Sequence, residues 1–140
     1  MTYRGAVFGG ARRIVDPKLG ELTRRGRSWR GHSRIGVVVV PGGRSGPDPT
    51  AVALVAAVLS DYEQIRPLVR DALADHRPDS SSARDTSLEV PDPVHVTVIS
   101  LDGQQVVELG YQVAWDEEHT LGARVRGGEL VELCGSVLPP

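Results

Sequence analysis

Alternation of apolar and polar positions is strongest between His95 and Trp115. Asp102-Gly103 separates two alternating, β-branched runs by two residues, the pattern of a hairpin closed by a type I′ turn. With Leu101 opposite Gln104, the same register sets Val98 against Val107, Val96 against Leu109 and Val94 against Tyr111, so every partner on one face is apolar. Val113 and Trp115 continue that stripe, which predicts that Trp115 turns toward the core and Asp116 away from it. The opposite face carries His95, Thr97, Glu108 and Gln112, so His95 is expected on the solvent side near Glu108. Residues 121–126 and 129–134 predict a last hairpin about Gly127-Gly128, with Arg126 facing Glu129.

Earlier in the chain the signals are shorter. Residues 3–8 suit a strand that Gly9-Gly10 breaks, and Ile14-Val15 begins a second. Asp16-Pro17-Lys18-Leu19-Gly20 predicts a turn, because proline fixes φ and glycine is free to take a positive one. Residues 21–30 suggest one exposed, Arg-rich strand, and Gly31-His32-Ser33 the connection into residues 34–40. Val37, Val38, Val39 and Val40 are apolar on both faces, which predicts a central strand covered on both sides or lying at a core edge. Residues 41–47 are rich in glycine and proline. They lack both the Gly-Lys-Ser/Thr ending of a phosphate loop and the spacing of a dinucleotide fingerprint, so they suggest a plain strand-to-helix linker.

Asp48-Pro49 is a helix start: the aspartate accepts from free amides, and proline is tolerated at the first helical position. Val55, Val58, Tyr62, Ile65, Val69 and Ala72 then recur at three- and four-residue steps to about Arg77, and Pro67 predicts a kink or a break into two helices. His76 would serve the helix C-terminus, and residues 78–91, with their serines and aspartates, suggest a mobile surface loop. The fold expected is α+β: a mostly antiparallel sheet built from an N-terminal and a C-terminal β-meander, with one long kinked helix packed on one face. It would form a single domain over residues 1–140, divided into a basic β part (1–47), the helix (48–77), the loop (78–92) and the C-terminal meander (93–135).

Composition adds bounds. A chain of 140 residues would bury roughly two-thirds of its unfolded surface, enough for one modest core. The longest apolar run, residues 51–59, has nine residues against the ~20 a membrane span needs, so no membrane role is expected. No charged region followed by an apolar stretch opens the chain, and a cytoplasmic location is the expectation. A lone Cys134 leaves no internal disulfide or thiolate metal cluster, and it suits a packed strand. Charge is uneven: residues 1–47 hold ten Arg and Lys against Asp16 and Glu21, whereas residues 48–140 hold six against sixteen acids. Such asymmetry suits an anionic partner, or basic strands lying beside acidic ones in a single sheet. Arg24, Arg25, Arg27, Arg30 and Arg34 are the residues a nucleic acid would use. They match no nucleic-acid module and have few aromatics among them, which disfavours that partner.

The densest chemistry lies in Trp115-Asp116-Glu117-Glu118-His119: a ring, three carboxylates and an imidazole in five consecutive residues. One use is a metal-assisted hydrolase built on Asp116, Glu118 and His119. A continuing strand would set Asp116 and Glu118 on one side and His119 on the other, and no nucleophile is spaced beside His119. No catalytic residue, metal ligand or cofactor is therefore assigned. The alternatives that remain are a structural connection, whose acids cap backbone amides, and a protein-contact surface.

Trp115 to Gly122, followed by a short glycine hairpin and a final strand, resembles the Trp-Asp-Pro/Glu-Glu-His-Gly-Leu-Gly signature of a group of small bacterial domains of unknown function. Leu19-Gly20-Glu21-Leu22 and Trp29 are also similar. Thr120 stands where that signature has glycine, and a positive φ there would strain it. The group is similar in size and context to immunity proteins of bacterial polymorphic-toxin systems. The resemblance implies an interaction module and no established activity; Trp115, Asp116, Glu117, Glu118 and His119 would bind a protein partner such as a basic toxin.

Overall fold

A computed structural model of the protein describes residues 12–77, 91–138 and 140; the strand expected at 3–8 and nearly all of the expected loop lie outside them. The described residues form an α+β structure whose nine strands make one mostly antiparallel sheet. β1 (Arg13–Asp16), β2 (Gly20–Arg25), β3 (Ser28–Ser33) and β4 (Gly36–Gly43) follow one another as antiparallel neighbours. The short β5 (Gly46–Pro47) folds back on the end of β4. Two helices, α1 (Pro49–Ser60) and α2 (Tyr62–His76), then carry the chain to β6 (His95–Leu101), which lies parallel to β4. β7 (Gln104–Val113), β8 (Asp116–Arg126) and β9 (Glu129–Val137) continue antiparallel to the far edge.

Turn chemistry explains the breaks. The Asp16 carboxylate accepts from the Lys18 and Leu19 amides, and Gly20 takes φ +79°, which closes β1 onto β2. The single Arg-rich strand expected over 21–30 is instead two: Gly26 at φ +60° reverses the chain, and Leu22 and Trp29 are fully buried between the reversed strands. Trp29 also donates its indole N–H to the Gly43 carbonyl at 3.0 Å. Burial of a ring this size contributes on the order of 4 kcal/mol. Asp102 and Gly103 both take positive φ, +51° and +77°, and the register of β6 on β7 matches the alternation. Val94 falls just before β6 and is exposed, although its amide donates to the Gly110 carbonyl.

The one long kinked helix is corrected to two, and the break falls at Asp61, not at Pro67. Asp61 leaves helical geometry at φ −99°, ψ 12°; its amide closes α1 on the Ala57 carbonyl while its own carbonyl accepts from Gln64 and Ile65. Ser and Asp compete with the helix for backbone partners, so they end one helix and begin the next more readily than they continue it. Pro67 sits inside α2.

Strand register sorts the sheet into two faces. Val38, Val40, Val96, Val107, Leu109, Tyr111 and Val113 face the helices, where they meet Ala51, Val55, Val58, Tyr62, Ile65, Val69 and Leu73 in one core. The other face is crossed by a continuous row: Arg13, Thr23, Arg30, Val39, Thr97, Glu108, Arg124 and Glu132 are successive strand partners. The next row on the same face runs His32, Val37, His95, Gly110, Gly122 and Cys134. Basic and acidic strands therefore do not alternate. They occupy opposite ends of the sheet, meeting only at the parallel seam where Val37, Val38 and Val39 face His95, Val96 and Thr97. No helix among the described residues is long and apolar enough to cross a membrane.

Candidate functional site

The acidic stretch forms the far end of the β7–β8 hairpin. Val113 pairs with Asp116, so Ala114 and Trp115 make the turn, and Trp115 reaches the core as the alternation suggested, but from the turn and not from the strand. Its ring is half-buried against the core cluster, and its indole nitrogen is buried with no hydrogen-bond partner. The ladder resumes at Tyr111 and Leu121, which leaves Gln112 alone opposite four residues, Glu117 to Thr120. This bulge does what a regular strand would not: it brings His119 back onto Asp116, with Nδ1 and Oδ1 2.8 Å apart. Glu117 and Glu118 are exposed beside that pair. Asp102 is the only non-glycine residue with positive φ among those described, so Thr120 is unstrained at the signature's glycine position.

The five residues thus share one hairpin end, but they divide chemically. Asp116 and His119 hold each other at the surface, Trp115 supports the turn, and Glu117 and Glu118 offer charge. Among the described residues no three His, Cys, Asp or Glu side chains gather as a metal site.

The arginines expected for an anion do not form one patch. Arg24 donates to the Gly26 carbonyl and Arg34 to the Leu59 carbonyl, whereas Arg25 and Arg30 belong to the face away from the helices and Arg27 to the β2–β3 turn.

Sequence reasoning missed a charged row on the second face. His95 was expected on solvent; it is 2% exposed, and Glu108 beside it is 4% exposed. The reason is a pair of glycines. Gly110 and Gly122 are cross-strand partners in mid-sheet, and the imidazole lies where a Gly110 β-carbon would stand, while Glu108 packs over Gly122. His95 Nε2 lies 3.6 Å from Glu108 Oε1, an ion-pair distance but not a hydrogen bond, and neither ring nitrogen has a hydrogen-bond partner. Arg124 donates through Nε to Glu108 at 3.1 Å and through its terminal nitrogen to Glu132. Burial pushes the Glu108 carboxyl up, but the His95 ring and the Arg124 guanidinium together outweigh it and hold it below the usual carboxylate value. Two strand-interior glycines, Gly110 five residues before Trp115 and Gly122 seven after it, were the available signal for this slot.

The fold and its two charged features define an α+β protein whose mixed sheet has helices on one face and an ionised row on the other, with an acidic hairpin end. Residues 47–136 match the model of DUF6985, a domain of unknown function, and the chain belongs to that family. The match takes in α1, α2, β6, β7, β8 and most of β9, while β1 to β4 precede it. No curated protein and no solved structure matches the chain.

Proposed function

We propose that this DUF6985 protein is a protein-binding module, immunity-like in that it neutralises a partner by occlusion, with the end of the β7–β8 hairpin laid against a basic surface. The observation that carries this reading is the four-residue bulge opposite Gln112, which presents Glu117 and Glu118 to solvent on a base fixed by Trp115 and the Asp116–His119 pair. Opposite charge at such a surface steers encounter and sets specificity more than it sets affinity, which suits recognition of a basic toxin. The resemblance of Trp115 to Gly122 to the bacterial signature points the same way, and a toxin's immunity protein would act in the cytoplasm.

The test is capture from lysate of the native host, with partners compared by mass spectrometry between wild type and Glu117→Lys/Glu118→Lys. A partner held by wild type, weakened about tenfold or more in the reversed variant and released as salt rises, supports the reading. Equal capture by both proteins returns the acidic stretch to a structural role.

A further inference from the structure

We propose that the cleft where β4 and β6 part is a binding site for an amphipathic anion, a small molecule with a carboxylate or phosphate head and a short apolar body. The two strands run parallel and pair only from Val37 with His95 to Val39 with Thr97. Beyond that point β4 bends to receive β5 at Gly42 and Gly43, while β6 continues along β7. The gap between them opens at the carboxyl ends of two parallel strands, the place where open α/β sheets seat their ligands. It is a shallow, open cleft of about 320 Å³, wide enough to hold part of a small molecule against its wall.

The lining divides into two parts. Val39, Pro41 and Val98 give an apolar wall, and Arg27 and Thr97 give a cation and a hydroxyl. Among the described residues no carboxylate lines the cleft. Among the described residues neither Arg27 nor Arg30 has an ion-pair partner, because the acids that pair on this face lie on β7 and β9 and are taken by Arg124. Arg30 is the cross-strand neighbour of Val39, and its Nε is buried with no hydrogen-bond partner. Arg30 does not itself line the cleft, and it adds positive charge on the neighbouring strand without contacting the occupant. α1 begins beside the same wall: the Asp48 amide donates to the Pro41 carbonyl at 2.8 Å, while its carboxylate is turned to the Thr50 amide and the Gln105 side chain. A guanidinium, a hydroxyl and an apolar wall suit an anionic head with an apolar body. Among the described residues the lining holds no aromatic ring for a base to stack on, so the cleft suits a small anion better than a nucleic-acid strand.

The site is independent of the hairpin end and is tested by itself. Amide chemical shifts of the ¹⁵N-labelled protein are followed during titration with octanoate, with inorganic phosphate and with octanol. Saturable shifts at Val39, Thr97 and Val98 with octanoate alone identify a carboxylate head that needs its apolar body. The same shifts with phosphate show that an oxyanion suffices, and both results support the site. Affinity should fall about tenfold in Arg27→Gln, whose exposed turn position leaves the remaining spectrum unchanged, and by less in Thr97→Val. Octanol binding as tightly as octanoate, shifts unaltered by Arg27→Gln, or no saturable shift at these three residues would each overturn the proposal.

Discussion

The His95 imidazole occupies the space that a side chain at Gly110 would need: a β-carbon there would fall 2.1 Å from Cε1 and 2.4 Å from Nδ1. The ring is buried and cannot swing into solvent without opening the sheet face. Gly110→Ala should therefore destabilise the protein by about 3 kcal/mol, at the upper end of overpacking costs. His95→Ala/Gly110→Ala should recover a large part of that loss, because the clash leaves with the ring. Urea unfolding of the two single variants and the double variant gives the coupling directly, and additive losses would contradict the packing described.

Glu108 makes stability depend on acid. Its folded pKa lies below the ordinary value of 4.5, so the unfolded chain takes up this proton first as the pH falls. The contribution is fully present above the unfolded pKa and is lost as pH drops through the lower folded one. Unfolding free energy should be flat from neutral pH to about 5, on this group's account, and decline below about 4. Glu108→Gln should cost about 2 kcal/mol at pH 7 by leaving Arg124 less well paired, and it should flatten the acid limb. Urea titrations of both proteins from pH 7 to pH 3 decide it; parallel acid limbs would show that another group controls the loss.

How much of this was legible depended on how far apart the partners lie in the chain. The β6–β7 register could be read because a two-residue Asp-Gly turn pins two alternating strands. Asp48 could be read as a cap because the amide it binds is two residues away. The reversal at Gly26 was hidden by arginines on both sides, which gave residues 21–30 one uniform polar character. His95 could not be placed from its own strand: its burial depends on Gly110 facing Gly122, and that register is set only after a bulge of unreadable size between Tyr111 and Val113. The parallel contact of Val37 with His95 spans the whole helical segment and leaves no local trace. This seam also separates the arginines from the acids, so opposite charges expected on adjacent strands lie far apart.

Glu117 and Glu118 project from a bulge that makes no ladder with Gln112, so their substitution should leave the fold intact. Glu117→Lys/Glu118→Lys is expected to change the unfolding free energy by less than about 1 kcal/mol, as exposed charges generally do. Breaking the neighbouring surface pair by Asp116→Asn should cost a similar small amount. Chemical denaturation of each variant checks this. A larger loss would mean that the hairpin end holds the sheet together, and any binding defect of the reversed variant would then have a structural origin.

Tyr62 on α2 and Tyr111 on β7 join the helix layer to the sheet through their hydroxyls, which lie 3.0 Å apart in the core. Burial raises both phenol pKa values; at Tyr62 the hydrogen bond to Tyr111 only partly offsets this, and at Tyr111 the neighbouring phenol raises the value further. Because the folded values lie above the unfolded one, the contribution is complete below pH ~10 and is lost as pH rises through the folded values. Alkaline titration followed at 295 nm should show tyrosinate from these two residues only as the protein unfolds. Tyr62→Phe leaves the Tyr111 hydroxyl buried without its partner and should cost about 2 kcal/mol. Removing both hydroxyls by Tyr62→Phe/Tyr111→Phe leaves nothing unpaired, and that variant should be at least as stable as the single one. If the double variant instead loses the sum of two separate penalties, the hydroxyls contribute independently and the contact between helix and sheet is held by the rings alone.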